Sequence, residues 1–508
     1  MRRLTAPVLL AAAALVAGCT SGRGTPAAPA PAAPATSSPA SASTPASAAP
    51  SPSAQRLRWD ACEAGFECAT LRVPLEDADP AAGTADLAVT RLRASGPGRR
   101  GSLFVNPGGP GASAVDYLQA AYAGLPAALR QHFDLVAFDP RGVGRSTAVH
   151  CAGTAQLDRL FALDPSPDDA AELDALARGS ADLAAGCQRR SGDLLAHVST
   201  AQAAQDLERL RVAVGDRRLS YLGYSYGTAI GAAYLDAHPR RVRAMVLDGA
   251  LDPALSWEEL LRGQSSGFDE ALDALLADCE RTGCAFRQAV RGDLGEAYDA
   301  LARQVDAAPL PAGGGRTAGP GEMQLGVGAG LYDREQGWPA VAQALAAAAR
   351  GDGSVLLALS DSYLQRSQQG YANISEANTA VNCVDRPWPH DEAAYAALAE
   401  RVRADSPRFG PAIALSGLSC ADWPVPATGT PHEVHGAGAP PVVVLGTTGD
   451  PATPYAWSVR LAGELDSGVL LTHVGEGHTV YRAGAPACIV DPVTDYLVSG
   501  RAPAPARC

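Results

Sequence analysis

The chain has 508 residues, of which 47% are hydrophobic and 19% charged, so it is long enough for one large domain with an insertion or for two domains. Its formal net charge of −13 argues against a nucleic-acid partner, because such binding requires a basic surface. The sequence contains no lysine, which excludes a Ser-Lys dyad, a lysine Schiff base and a phosphate-binding P-loop.

The N-terminus has the pattern of an export signal. Two arginines at positions 2 and 3 precede the apolar run Ala6 to Ala17, which is shorter than the roughly 20 residues of a membrane-spanning helix. The run ends in Val-Ala-Gly-Cys at positions 16–19, which resembles a bacterial lipobox. We therefore expect residues 1–18 to be a lipoprotein signal peptide and Cys19 to carry a lipid anchor in the membrane. The alternative is an ordinary signal peptide in which Cys19 is incidental.

Residues 19–54 are almost entirely Ala, Pro, Ser, Thr and Gly. A segment of this composition cannot bury enough apolar surface to fold, so we expect it to be a disordered tether. The folded part of the chain is then expected to begin near residue 55.

After the tether, strand and helix patterns alternate, which predicts an α/β fold with a mostly parallel sheet. Two strands joined by a turn come first and are expected to form an antiparallel edge, and short buried runs follow them. The expected strands are Phe66 to Pro74, Ala85 to Ser95, Ser102 to Val105, Leu135 to Phe138, Leu219 to Leu222, Val242 to Leu247, Pro441 to Leu445 and Gly468 to Val474. Helical patterns lie between them at Ala114 to Gln131, within residues 155–214, and at Thr228 to Ala237.

A long, mostly helical stretch interrupts this alternation and is typical of a cap that selects substrates. We expect residues 55–252 and 432–508 to form the two parts of the core, and residues 253–431 to form the inserted cap. The expected cap helices are Trp257 to Asp278, Leu294 to Ala307, Trp338 to Arg350, Asp352 to Gln369 and Asp391 to Arg403.

Ten cysteines remain when Cys19 is set aside, and an even number in an exported chain favours disulfides. Sequence does not fix their connectivity. Pairing of nearest neighbours would join Cys62 with Cys68, Cys151 with Cys187, Cys279 with Cys284, Cys383 with Cys420, and Cys488 with Cys508. Structural zinc is disfavoured because no Cys-x2-Cys or His-Glu-x-x-His spacing is present. The sequence implies no metal and no cofactor.

Ser225 lies at the centre of Gly-Tyr-Ser-Tyr-Gly at positions 223–227, between an apolar run and a helical pattern. This context is the one that a nucleophile elbow requires, because small flanking residues allow a sharp turn from strand to helix. The helix after the turn directs its positive end at the serine.

A serine nucleophile needs a histidine base and a carboxylate that orients it, and α/β-hydrolases carry them in the order Ser, Asp or Glu, His. Asp450 follows a predicted strand, and His478 follows the last one in the sequence Gly-Glu-Gly-His-Thr. We expect these two residues to complete the triad. The alternatives are Asp248 for the carboxylate and His473 for the base, although His473 falls within a predicted strand.

An oxyanion hole needs two backbone N–H donors. Tyr226, which follows the nucleophile, is expected to supply one. The other is expected from the glycine-rich loop at residues 106–111, Asn-Pro-Gly-Gly-Pro-Gly, with Gly109 preferred over Gly108.

Four motifs together resemble the secreted tripeptidyl aminopeptidases, a group of α/β-hydrolases related to prolyl aminopeptidases. They are the loop at 106–111, Phe-Asp-Pro-Arg-Gly-Val-Gly-Arg-Ser at 138–146, Gly-Tyr-Ser-Tyr-Gly-Thr at 223–228 and Gly-Asp-Pro-Ala-Thr-Pro at 449–454. Pro107 stands where prolyl aminopeptidases usually carry histidine, which is similar to the tripeptidyl branch. The resemblance, which covers roughly Trp59 to Cys508, implies the α/β-hydrolase fold, an exported and sometimes lipid-anchored enzyme, and peptide substrates. It implies the release of short peptides from free N-termini and a triad of Ser225, Asp450 and His478.

An aminopeptidase must recognise the substrate ammonium, and cap carboxylates in a partly desolvated pocket suit that role. Glu376 and Asp385 are the candidates. A carboxylesterase or lipase with the same triad is the alternative activity, and a binding protein on a degenerate hydrolase fold is the alternative without catalysis.

Overall fold

The computed structural model describes residues 56–63 and 65–508. The expected signal peptide, the lipidation site at Cys19 and the whole of the expected tether lie outside the described residues. No helix in the described part of the chain is long and apolar enough to cross a membrane.

The strands of the described chain are β1 Asp60–Ala61, β2 Glu67–Pro74, β3 Thr84–Leu92, β4 Ser102–Asn106, β5 Asp134–Phe138, β6 Leu219–Tyr224, β7 Val242–Asp248, β8 Leu310–Pro311, β9 Thr317–Ala318, β10 Arg366–Ser367, β11 Gly370–Tyr371, β12 Val442–Gly449, β13 Gly468–Glu476 and β14 Ala506–Arg507. Ten of these strands form one sheet in the order β1-β2-β3-β5-β4-β6-β7-β12-β13-β14. Strands β1, β2 and β3 pair antiparallel, as does β3 with β5, and every other pair in the sheet is parallel. The expected α/β class with an antiparallel edge is therefore confirmed.

The register aligns the carboxyl ends of the central strands, where function collects in open α/β sheets. Asn106 of β4 pairs with Gly223 of β6, and Tyr224 of β6 pairs with Asp248 of β7. Asp248 pairs in turn with Leu445 of β12. The loops after β4, β6 and β12 therefore meet at one edge of the sheet.

Helices cover both faces of the sheet. They are α1 Ala114–Ala121, α2 Ala127–His132, α3 Thr154–Phe161, α4 Ala170–Leu195, α5 Thr200–Ala213, α6 Tyr226–Ala237, α7 Trp257–Thr282, α8 Ala285–Ala289, α9 Leu294–Ala307, α10 Pro320–Leu331, α11 Gly337–Ala348, α12 Ser354–Tyr363, α13 Ile374–Asp385, α14 Glu392–Arg403, α15 Gly410–Ser416, α16 Tyr455–Glu464 and α17 Ala487–Ser499. One face packs against α1, α2 and α17, and the other packs against α5, α6 and α16.

Residues 249–441, called the insertion below, connect β7 to β12 and contain α7 to α15 and two short hairpins. Apolar side chains of these helices form most of a second hydrophobic core, which includes Phe268, Leu272, Leu345 and Leu398. Helix α7 begins with a capping box between Ser256 and Glu259, which satisfies N–H groups that the first turn leaves without partners.

Two predicted helices differ from the structure. The helix expected over 114–131 is two helices, because Pro126 has no N–H to continue the first one and its ring restricts the backbone before it. The helix expected over 352–369 ends at Tyr363 and is followed by the hairpin of β10 and β11.

The structure contains all five disulfides that nearest-neighbour pairing gave, which confirms the disulfide prediction. They join Cys62 with Cys68, Cys151 with Cys187, Cys279 with Cys284, Cys383 with Cys420, and Cys488 with Cys508.

Candidate active site

Ser225 lies in a sharp turn between β6 and α6, with φ 53° and ψ −127°. Glycine is required at both flanking positions, because neighbouring backbone atoms come too close to leave room for a Cβ. A Cβ at Gly223 would lie 2.5 Å from Gly227 O, and a Cβ at Gly227 would lie 2.7 Å from Asn106 O. The turn is held by the Ser225 N–H, which donates to Asp248 O at 2.8 Å. A positive φ at a non-glycine residue costs about 1–3 kcal/mol, and such strain is typical of functional sites.

Asp450 and His478 form a buried hydrogen-bonded pair. His478 Nδ1 lies 2.8 Å from Asp450 Oδ1 and 2.9 Å from Asp450 Oδ2, and the residues are 7% and 4% exposed. The carboxylate is fixed by further donors, since Oδ1 accepts from Ala452 N and Thr453 N at 3.0 and 2.9 Å. Thr453 Oγ1 donates to Oδ2 at 3.1 Å. A carboxylate held in this way orients the imidazole and fixes its Nδ1–H tautomer.

The other ring nitrogen of this histidine, His478 Nε2, is buried and has no hydrogen-bond partner among the described residues. It lies opposite the nitrogen that Asp450 holds, so it is the atom available to accept a proton. Two contacts with Tyr332 hold this histidine in place. His478 N donates to Tyr332 O at 2.8 Å, and the imidazole makes an edge contact with the Tyr332 ring.

Asp248, the alternative carboxylate, accepts hydrogen bonds from backbone N–H groups and not from the ring of His478. Its Oδ2 accepts from Val480 N at 2.9 Å and from Tyr481 N at 2.7 Å, which ties β7 to the segment after His478. Burial raises the pKa of Asp248 to about 6. The alternative base, His473, lies within β13, as its sequence pattern predicted.

The loop after β4 lies against the nucleophile turn. A Cβ at Gly108 would lie 2.8 Å from Ser225 Cβ and 3.0 Å from Tyr226 N, so only glycine fits there. The Gly108 N–H donates to Asn106 Oδ1 at 3.0 Å, so it is already occupied, and Gly109 stays the candidate loop donor for an oxyanion. Tyr226 is the first residue of α6, and its N–H has no intrahelical acceptor.

Helix α13 of the insertion packs onto this loop. Asn378 Nδ2 donates to Pro110 O at 3.1 Å. A Cβ at Gly111 would lie 2.3 Å from Ile374 O, so the loop and the helix touch through their backbones. The insertion therefore shapes the candidate oxyanion site as well as the space in front of it.

A pocket of about 110 Å³ opens in front of Ser225. It is smaller than the roughly 300–1,000 Å³ of pockets for drug-sized ligands. Apolar side chains such as Phe268, Trp388, Phe409 and Ile413 dominate its wall, and the polar side chains include Gln264, Gln324, Asn378 and Asn382. No charged side chain is found among the described residues that line it.

Glu376 and Asp385, the expected ammonium ligands, do not line this pocket. Glu376 Oε1 accepts from Cys151 N and Ala152 N at 2.5 and 2.9 Å, and burial raises its pKa. Asp385 accepts from Thr200 N at 2.7 Å and from Thr200 Oγ1 at 2.5 Å, and burial raises its pKa to about 6. Both carboxylates lie on α13 and are satisfied by donors from the segment before α3 and from the start of α5, and neither lines the pocket.

Sequence reasoning missed the amides of the pocket. Gln324 Nε2 is buried without a partner among the described residues, and Asn382 Nδ2 donates to Asn378 Oδ1 at 2.9 Å. Isolated amides in helices give no sequence signal of their own. A cluster of carboxylates elsewhere, Asp164, Glu172 and Asp306, could hold a cation, but none of its members lines the pocket.

Comparisons with known proteins agree with this geometry. A family model described as "alpha/beta hydrolase fold" matches residues 101–301, and one described as "TAP-like protein" matches residues 406–508. "Serine protease Hip1" of Mycobacterium tuberculosis (strain ATCC 25618 / H37Rv) is 38% identical over 482 residues, which cover 89% of this chain and 91% of that protein.

Two further relatives carry different names. "Carboxylesterase B" of the same strain is 39% identical over 453 residues, with 86% of this chain and 85% of that protein covered. "Tripeptidyl aminopeptidase" of Streptomyces lividans is 32% identical over 465 residues, with coverages of 87% and 84%. The chain therefore belongs to the tripeptidyl-aminopeptidase-like family of α/β-hydrolases.

Proposed function

We propose that the protein is an exported serine exopeptidase that releases short peptides, tripeptides among them, from free N-termini. The observation that carries the proposal is the Asp450–His478 pair, whose Nε2 is free, at the same sheet edge as the strained Ser225 turn. The relatives named serine protease and tripeptidyl aminopeptidase support peptides as the substrate class.

The proposed reaction follows from the arrangement of these groups. Ser225 Oγ attacks the scissile carbonyl carbon while His478 Nε2 accepts the hydroxyl proton, and Asp450 stabilises the imidazolium that forms. The oxyanion accepts hydrogen bonds from Gly109 N–H and Tyr226 N–H, each worth about 3 kcal/mol in comparable enzymes. His478 then donates its proton to the leaving amine, the C–N bond breaks, and water hydrolyses the acyl-enzyme by the reverse proton path.

The pocket indicates what the acyl side of the substrate looks like. Its apolar wall and small volume suit one apolar side chain beside the scissile bond. Because none of the described residues that line it is a carboxylate, an ammonium there would meet only neutral acceptors, namely amide, hydroxyl and backbone carbonyl oxygens. We therefore expect the preference for free over blocked N-termini to be weaker than a buried carboxylate would give.

A carboxylesterase is the second candidate. The uncharged pocket would accept a short acyl chain as well as an amino-acid side chain, and one relative is named carboxylesterase B. The same triad and oxyanion donors would cleave either bond, so the insertion decides between the two activities.

The test is a matched panel of substrates: free and N-blocked tripeptide anilides, a proline anilide and short acyl esters, with Ser225→Ala as control. Faster release from free than from blocked tripeptides supports the exopeptidase. Turnover of esters alone would favour the carboxylesterase. Unchanged turnover by Ser225→Ala would contradict both proposed activities.

We further propose a lipid anchor on Cys19, a tether over 19–54 and a division into core and cap near residues 252 and 431. The lipobox-like residues 16–19 support the anchor. Labelling of cells with a clickable fatty acid should mark the wild-type protein and fail to mark Cys19→Ser.

A further inference from the structure

Seven arginines surround one groove on the side of the sheet away from Ser225. The groove has a volume of about 680 Å³ and lies at the amino ends of β4, β6 and β7. We call it the arginine groove, and its arginines are Arg99, Arg100, Arg217, Arg218, Arg240, Arg241 and Arg243. The one carboxylate in its lining is Asp216, whose Oδ2 accepts from Ser102 N at 2.7 Å.

The positive charge of the groove is largely uncompensated. Arg99 pairs with Asp134 at 2.9 Å, but the other six arginines form no ion pair with any residue that the structure describes. Arg243 donates only to neutral acceptors, Ser220 Oγ and the carbonyls of Leu497 and Val498. Burial and the neighbouring charge of Arg100 lower the pKa of the Arg243 guanidinium.

Such a grouping is unfavourable without a counter-ion, because like charges repel and a partly buried guanidinium loses hydration. It also stands out against the chain as a whole, whose formal net charge is −13. Five of the arginines, at positions 100, 217, 218, 240 and 241, are exposed and form no ion pair with a described residue, so they can reach a ligand. These features point to an anion that the protein itself does not supply.

We propose that the arginine groove binds a ligand that presents several phosphate groups close together. Planar guanidinium groups bind phosphate oxygens in bidentate pairs, and a groove with arginines on three strand ends can hold more than one phosphate. The phosphates could be headgroups of anionic phospholipids or parts of a free polyphosphate. An extended nucleic acid is disfavoured, because it would run beyond the groove over a protein surface of net negative charge.

The position of the groove has a consequence for function. Strand β6 is six residues long, which separates the groove from Ser225 by roughly 20 Å at about 3.3 Å per residue. A phospholipid surface bound here would leave the candidate active site facing away from the membrane and open to substrate.

The test measures binding of inorganic triphosphate by calorimetry and of vesicles by co-sedimentation, with the full chain. The vesicles contain phosphatidylcholine alone or with 30% phosphatidylglycerol, and a 20-base-pair DNA duplex is measured alongside. The test variant combines Arg217→Ala, Arg218→Ala and Arg241→Ala. The control variant removes the same charge from the exposed Arg291, Arg303 and Arg350 of the insertion.

We expect the test variant to bind at least tenfold more weakly than the wild type and the control variant to stay within twofold, with hydrolysis of the best substrate of the panel unchanged in both. Binding of triphosphate but not of vesicles identifies a free phosphate ligand, and the reverse identifies lipid headgroups. The proposal is overturned if neither ligand binds, if DNA binds more tightly than both, or if the two variants behave alike. Because hydrolysis is measured separately, failure of this proposal is distinct from failure of the proposed function.

Discussion

Asp450→Asn is the substitution whose effect the structure defines most sharply. Asp450 Oδ1 accepts from the backbone N–H groups of Ala452 and Thr453. An asparagine would keep its carbonyl oxygen on these two donors, so its amide NH₂ would take the place of Oδ2, which lies 2.9 Å from His478 Nδ1. The carbonyl oxygen would still lie 2.8 Å from Nδ1 but already accepts from two backbone N–H groups, and the amide N–H in the place of Oδ2 donates to Nδ1, which favours the tautomer with the proton on Nε2. The histidine would then be unable to accept the proton of Ser225.

The expected loss follows from this wrong tautomer. The same exchange in a serine protease lowers kcat about 10⁴-fold. At 1.36 kcal/mol for each tenfold, this is about 5 kcal/mol of transition-state stabilisation. Binding contacts in the pocket are untouched, so we expect the effect in kcat and little change in KM.

The assay is steady-state hydrolysis of the best substrate of the panel, compared with Asp248→Asn as matched control. Asp248 Oδ2 accepts both of its backbone N–H bonds, and an asparagine oxygen can keep them, so we expect kcat within about tenfold of wild type. Asp450→Asn activity within tenfold of wild type would refute the reasoning. A 10⁴-fold loss confined to Asp248→Asn would assign the carboxylate role to the other residue.

Three further predictions concern the oxyanion loop, a disulfide and a buried acid. Gly108→Ala should lower kcat at least 10²-fold without unfolding the protein, because the new Cβ would lie 2.8 Å from Ser225 Cβ; kinetics and circular dichroism check this together. Replacing Cys383 and Cys420 by alanine opens a loop with a sequence separation of 37 and should lower the free energy of unfolding by about 4 kcal/mol in denaturant titration. Burial raises the pKa of Asp139 to about 6, so the folded state binds this proton more tightly than the unfolded state does. The stability that this group contributes should therefore fall as the pH rises from 4 to 6, by about 3 kcal/mol, and Asp139→Asn should remove that part of the pH dependence of unfolding.

The central strands were predictable because buried parallel strands are short apolar runs between turn residues. Four of the six runs begin at the predicted residue, and the structure extends each at its carboxyl end, as in β6, which continues to Tyr224. The strands therefore continue beyond their predicted ends, up to the edge of the sheet where the site residues lie. The elbow, Asp450 and His478 were predictable for the same reason, because each follows a strand end.

The walls of the pocket were not predictable in the same way. Helix α10 contains four glycines, so local propensity argues against it, yet its glycines permit close packing: a Cβ at Gly330 would lie 2.2 Å from Val341 Cγ2. Helix α13 was also missed, although it contacts the oxyanion loop. Tertiary contacts of this kind decide which side chains line the pocket. Glu376 and Asp385 do not line it, so their role as ammonium ligands stays a prediction that the lining does not support.

The central claim is that Ser225 is acylated with His478 as its base. The most direct measurement is intact-protein and peptide mass spectrometry after brief treatment with a fluorophosphonate, a serine-directed reagent, on the wild type, Ser225→Ala and His478→Ala. We expect one adduct per chain, located on Ser225, absent from Ser225→Ala and formed at least 10²-fold more slowly by His478→Ala. An adduct on another residue, or equal labelling of Ser225→Ala, would contradict it.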